Sequence, residues 1–248
     1  MNRVIIWDKK NNFNNNYMII SFLIMFNIFK IFGCIYYDDI LSIYKMCVYY
    51  FAYSFLEYFF SKLFNKKRID NYFLVNALII SYIVPGNVSI YIFLLGSILG
   101  ILIRYLSKDR LSSSIILALF CYIYLYYMDN INVFLYTGIL KRIYLGLCFI
   151  SFLLLAGKKL IKRYIPLILI FLYLIINKGR LDNELFIIIF MASDTRYNSL
   201  TKRGEIISVI ILATTYYLFK IVLNVNYGLL LSIFISEIGA IMINKKRL

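Results

Sequence analysis

From Tyr17 to Asn244 the chain is a succession of ten apolar runs separated by short polar or basic connections. The runs cover residues 17–37, 40–61, 72–85, 88–106, 112–128, 136–156, 164–177, 184–193, 205–223 and 227–244. Nothing else in the sequence constrains the fold as tightly. A chain of 248 residues that is 62% hydrophobic exceeds the apolar content that a soluble domain hides in its core. The solvent such runs require is lipid. A helix rising ~1.5 Å per residue needs roughly 20 apolar residues to cross a hydrocarbon core about 30 Å thick. In that core only helices and closed barrels satisfy every backbone N–H and C=O. The runs lack the period-two alternation of a barrel strand, so they read as helices. The expected class is all-α, a polytopic membrane protein with about ten transmembrane helices.

The charges set the expected orientation. The chain carries 27 Lys and Arg against 12 Asp and Glu, a net charge of +15. On a soluble protein that excess would suggest nucleic acid. Here the basic residues sit in short clusters between apolar runs and follow no single face, so nucleic acid is not an expected partner. With the N-terminus, the 62–70, 107–111, 157–163 and 194–204 connections and the C-terminus in the cytoplasm, and Arg104 at the cytoplasmic end of the fourth run, twenty of the 27 basic residues lie inside. Lys141, Arg142, Lys178 and Arg180 lie on the opposite side, and Lys30, Lys45 and Lys220 fall within runs, where snorkelling to the interface is expected. The bias predicts a multi-pass protein of the cell inner (plasma) membrane with both termini cytoplasmic. The first run has no small-residue cleavage site after it and is expected to remain as the first span.

Two runs are too short to cross straight. The third ends at Val84-Pro85-Gly86-Asn87 and the eighth at Ser193-Asp194. Short or Pro/Gly-interrupted segments at matching places in two halves point to broken helices, while a tight turn between two spans is the other reading of Pro85-Gly86-Asn87. The predicted organisation is therefore a polar cytoplasmic N-terminus over 1–16, a first five-helix repeat over 17–128 and a second over 129–248. An odd number of spans per half makes the two repeats inverted.

Little in this chain offers conventional catalysis. There is no histidine, and Cys34, Cys47, Cys121 and Cys148 are scattered without CxxC spacing, so zinc chemistry has no ligand set and the cysteines read as small apolar residues. Glu57 and Glu237 are carboxylates within apolar runs, candidates for pairing with a basic neighbour or for binding a proton or Na⁺. Glu237, in Ser236-Glu237-Ile238-Gly239, lies away from any run end and is the ion-coupling candidate; a structural helix–helix contact is the other reading. Gly96 and Gly100 form a small-xxx-small pair, expected to bring two helices close.

The richest stretch is Phe190-Met191-Ala192-Ser193-Asp194, followed by Asn198, Ser199, Thr201, Arg203 and Gly204. An apolar run stops in an aspartate, an amide, hydroxyls and a glycine, and a second long run begins at Ile206. Here the chain resembles the family of membrane subunits shared by two redox pumps, the Rnf electron-transport complex and the sodium-translocating NADH:quinone oxidoreductase (Nqr). That family runs Phe-Met-Ala-Thr-Asp-Pro, then a Ser/Thr/Pro-rich turn, then Arg-Gly before a helix. Phe190, Met191, Ala192, Asp194, Thr201, Arg203 and Gly204 match, while Thr195 stands where proline is usual. Asn76–Pro85 is similar to the family's Thr-Ala-Leu-Leu-Leu-Ala-Leu-x-x-Pro segment, and Lys158–Leu167 to its basic turn before Ile-Pro-Leu.

The resemblance implies ten spans, a flavin (FMN or riboflavin) and work alongside other membrane subunits in the lipid bilayer. It assigns cofactor binding to Asp194, Ser199, Thr201 and Gly204. For these residues the reading without a cofactor is a cytoplasmic turn leading into the ninth span. Two family features are missing. The Gly-Gln-Asn-Pro turn after the fourth span is replaced by Ser107–Ser114. The threonine that carries FMN has no ungapped counterpart near Lys141-Arg142-Ile143, with Thr137 lying six residues before Ile143. The implied flavin is therefore held without a covalent bond. The alternative is a flavin-free scaffold or small-solute transporter on the same fold.

Overall fold

The computed structural model describes residues 12–64, 72–107, 111–128, 136–158, 160–161, 164–176, 184–192, 202–223, 225 and 227–245. Among the described residues the fold is all-helical, with no strand. The helices are α1 (Asn12–Tyr36), α2 (Ile40–Leu63), α3 (Tyr72–Ile83), α4 (Ile90–Leu106) and α5 (Ser113–Tyr127), then α6 (Gly138–Gly157), α7 (Tyr164–Ile176), α8 (Glu184–Ile187), α9 (Lys202–Tyr217) and α10 (Gly228–Lys245). Helix α8 runs on into a π-helical turn, Ile188–Ala192, and α9 into another, Leu218–Val222.

Among the described residues, three helical segments are long and apolar enough to cross a membrane: Tyr17–Tyr36, Gly138–Gly157 and Gly204–Val222. Shorter apolar helices cover Phe73–Ile83, Ile90–Leu106, Ser113–Tyr127 and Gly228–Ile243. Large apolar side chains point outward throughout, among them Phe51, Phe55, Tyr91, Phe149 and Phe171, each more than 60% exposed. That much outward aromatic surface suits a lipid solvent and not water.

The chain divides inside α6 into two compact units, one formed by Asn11–Tyr144 and the other including Leu145–Leu248. In the N-terminal unit α3 packs on α1, α2 and α5, while α4 packs on α5 and α2. The core holds Tyr49, Tyr53, Ala77, Ile80, Val84, Phe93 and Leu117. Tyr49 stacks on Phe93 with centroids 4.2 Å apart. The α4–α5 approach depends on Gly100, where a Cβ would lie 2.8 Å from the Ser113 carbonyl oxygen. This is the close helix contact that the Gly96/Gly100 spacing predicts.

The turn between α1 and α2 is tight. Asp38 takes φ +55°, and Asp39 caps α2, its carboxylate accepting from the Ser42 N–H at 3.1 Å and from the Ser42 hydroxyl. In the C-terminal unit α9 packs on α10, and α7 packs on α9 and on the π-helical turn after α8. The Ser236 hydroxyl of α10 donates to the Ser208 carbonyl of α9 at 3.2 Å.

Candidate functional site

In the N-terminal unit α3 stops at a place that leaves backbone carbonyls in need of partners. Pro85 lacks an N–H and disfavours helical backbone at Val84. The Val84 N–H still reaches the Ile80 carbonyl at 2.9 Å, after which Val88 N–H to Pro85 O closes a turn and the Ser89 hydroxyl caps α4. The carbonyls at the end of α3 are thereby left without the helix N–H groups that would bond them. An unsatisfied carbonyl in hydrocarbon costs several kcal/mol.

Side chains from three other helices meet this need. Lys30 of α1 donates from Nζ to the carbonyls of Ser81 (3.2 Å) and Tyr82 (2.6 Å). The Tyr122 hydroxyl of α5 donates to the Ile83 carbonyl at 3.4 Å. Beyond the break, Lys45 and Tyr49 of α2 both donate to the Val88 carbonyl, at 3.0 and 2.7 Å. One turn before Lys30, the Asn27 amide donates to the Leu78 carbonyl at 3.0 Å, and its oxygen accepts from the Ser81 hydroxyl at 2.9 Å. Lys30 is only 6% exposed, and its ammonium lies 5.6 Å from the centre of the Tyr82 ring. It does not snorkel. Its charge faces the negative end of the α3 dipole, where a cation is stabilised.

A second polar cluster sits toward the other end of the same unit. Glu57 of α2 is buried and forms an ion pair with Arg104 of α4. The Tyr53 hydroxyl donates to the other Glu57 oxygen at 3.2 Å and lies 2.5 Å from the Ser113 hydroxyl at the start of α5. Asn76 of α3 donates to the same Ser113 oxygen at 3.5 Å, and the buried hydroxyls of Ser112 and Ser114 lie 2.7 Å apart. Glu57 thus finds the basic partner foreseen for it, and that partner is Arg104. Four helices are joined through one buried network. Its polar groups are engaged with one another, which is the condition for such groups to be tolerated in a low-dielectric interior.

Of the residues singled out for cofactor binding, Asp194, Ser199 and Thr201 lie outside the described residues. Gly204 is buried in the first turn of α9, and Phe190, Met191 and Ala192 are buried in the π-helical turn that follows α8. No protein-family model and no curated protein matches this chain. The site therefore stands on its own residues. Glu237 is 4% exposed in α10, next to the Ser236 that bonds Ser208. Thr137 is exposed just before α6, its hydroxyl 2.7 Å from that of Tyr37.

Two arrangements differ from the sequence expectation. Lys220, expected to snorkel, pairs with Glu184 at 3.5 Å, and the Tyr216 hydroxyl donates to the same carboxylate at 3.4 Å. The signal was present as Lys220 inside an apolar run with Glu184 opening another. Lys30 and Asn27 carry a signal as well, since residues three apart lie on one helix face and an amide and an ammonium together on an apolar helix call for acceptors on a neighbouring helix.

Proposed function

We propose that this chain is an integral membrane subunit of an Rnf/Nqr-type ion-translocating electron-transport complex, built as two inverted five-helix repeats in the cell inner membrane with both termini cytoplasmic. The observation that carries the reading is the match of Phe190, Met191, Ala192, Asp194, Thr201, Arg203 and Gly204 to the family pattern, at the end of a short eighth helix. Asp194, Ser199, Thr201 and Gly204 would supply polar contacts to a flavin held without a covalent bond, with Phe190 and Met191 as apolar wall. The flavin supplies the redox chemistry when bound; the protein supplies an apolar slot, a few aimed donors and acceptors, and a route to partner subunits. Glu237 is the carboxylate placed to take part in ion coupling.

The internal contacts support the alternating direction of successive helices that the charges predict. Lys30 and Ser81, Lys45 and Val88, Glu57 and Arg104, and Glu184 and Lys220 each join two groups that this alternation puts toward the same side of the membrane. The helix partnerships support the repeat. The fourth and fifth helices of each set pack on each other, and the third is short in both.

One observation favours the second reading, a flavin-free scaffold or small-solute transporter on this fold. Where the family carries its glycine- and asparagine-rich turn, the buried hydroxyls of Ser112, Ser113 and Ser114 are spent on Tyr53, Asn76 and one another. The visible absorption of the detergent-solubilised protein separates the two. The first reading expects flavin absorbance that acid precipitation releases into the supernatant. A colourless protein that takes up neither FMN nor riboflavin supports the second and refutes the first.

A further inference from the structure

We propose that the carbonyl end of α3 is a small monovalent-cation site that Lys30 fills with its own ammonium, so that a chain lacking this ammonium binds a free cation there. The oxygen set is already assembled. The Ser81 and Tyr82 carbonyls accept from Nζ at 3.2 and 2.6 Å. The Asn27 side-chain oxygen and the Ser81 hydroxyl, 2.9 Å apart, sit on the neighbouring turn of the same two helices. Every one of these oxygens is neutral. Among the described residues no carboxylate forms an ion pair with Lys30; the groups in contact with its charge are carbonyl dipoles at a helix end, and the Asp39 carboxylate adds a longer-range attraction.

The place holds one unit of positive charge and is built for one. Neutral carbonyl, amide and hydroxyl oxygens without a carboxylate do not offset the dehydration of a divalent ion. Broken-helix carbonyl ends are also where membrane proteins hold monovalent cations. The distances around Nζ suit an ion of ammonium or potassium size. Burial supports the assignment, since Lys30 is 6% exposed and six residues short of the α1 end at Tyr36, about 9 Å along the helix. A lysine this far from the end, turned inward onto carbonyls, is held there by what it satisfies. Its geometry involves α1 and α3 alone, so the inference stands whether or not the chain serves electron transport.

The test uses Lys30→Ala and Lys30→Met in the full chain, purified in detergent. Thermal unfolding is followed in the chlorides of ammonium, methylammonium, potassium and the bulky N-methylglucamine cation at matched ionic strength. Wild type is expected to unfold at the same temperature in all four. Lys30→Ala is expected to unfold lower in N-methylglucamine and to rise by at least ~3 °C, saturably, in ammonium, methylammonium or potassium. Lys30→Met fills the stem volume without charge, and is expected to be unstable in N-methylglucamine and rescued less by the larger methylammonium than Lys30→Ala is. Equal stability of Lys30→Met and wild type in N-methylglucamine overturns the proposal, because the carbonyls then need no cation. So does a Lys30→Ala midpoint that does not depend on the cation, or failure of both variants to fold in any of the four salts.

Discussion

The buried Glu57–Arg104 pair gives the sharpest energetic expectation. The two side chains are 4% and 12% exposed, and Glu57 also accepts from Tyr53, whose hydroxyl reaches Ser113. Changing Arg104→Met removes the cation paired with the Glu57 carboxylate, and Glu57→Leu removes the anion paired with the Arg104 guanidinium. Removing one partner of a buried pair costs about 3–5 kcal/mol, because the remaining charge keeps its desolvation and loses the partner that offset it. For a chain of this length each kcal/mol moves the midpoint by roughly 2–4 °C, so each single change should lower it by roughly 6–20 °C. The double change removes both charges and leaves the Tyr53–Ser113 contact in place, so it should unfold above either single variant. A thiol-reactive fluorophore reads the unfolding directly, since Cys34, Cys121 and Cys148 are buried and Cys47 alone supplies the native baseline. Singles that cost no more than the ~1 kcal/mol of an exposed ion pair would refute the reasoning. So would a double variant whose loss equals the two singles added.

Other expectations follow from single contacts and are read with the same assay. Gly100→Val forces a side chain into the Ser113 carbonyl, 2.8 Å from where its Cβ would stand, and should cost at least ~1–3 kcal/mol by prying α4 from α5. Asp39→Ala removes the α2 cap and should cost about 1 kcal/mol, with Asp39→Asn retaining most of the stability. Glu184→Gln breaks a pair whose side chains are 22% and 25% exposed, and the loss should stay near ~1 kcal/mol or below, far less than at Glu57.

The helices were legible because lipid leaves so few alternatives. Continuous apolar runs, Pro85-Gly86 and the Gly96/Gly100 spacing each point to one local outcome, and α3 stops at Ile83 two residues before the proline. The polar interior was harder to read. Glu57 and Arg104 are 47 residues apart, and Lys30 and Ser81 are 51 apart. A sequence shows that a buried charge needs a partner, but which helix delivers the partner is decided by packing. Snorkelling was the wrong expectation for Lys30 because the competing acceptors are backbone carbonyls, created by a break fifty-odd residues downstream, and carbonyls carry no residue-type signal. The proposed flavin residues Asp194, Ser199 and Thr201 rest on the sequence pattern, with only Gly204 placed, in the buried first turn of α9.

The proposed membrane body is made of two halves that cross in opposite directions. Asp38, just past the end of α1, and Lys158, just past the end of α6, are both exposed and occupy corresponding ends of corresponding helices. Asp38→Cys and Lys158→Cys, each introduced separately after replacing the native cysteines, are labelled with a membrane-impermeant maleimide in intact cells and in inverted vesicles. Inverted halves require the Asp38 position to label only from outside and the Lys158 position only from the cytoplasmic side. Labelling of both from the same side would contradict the account.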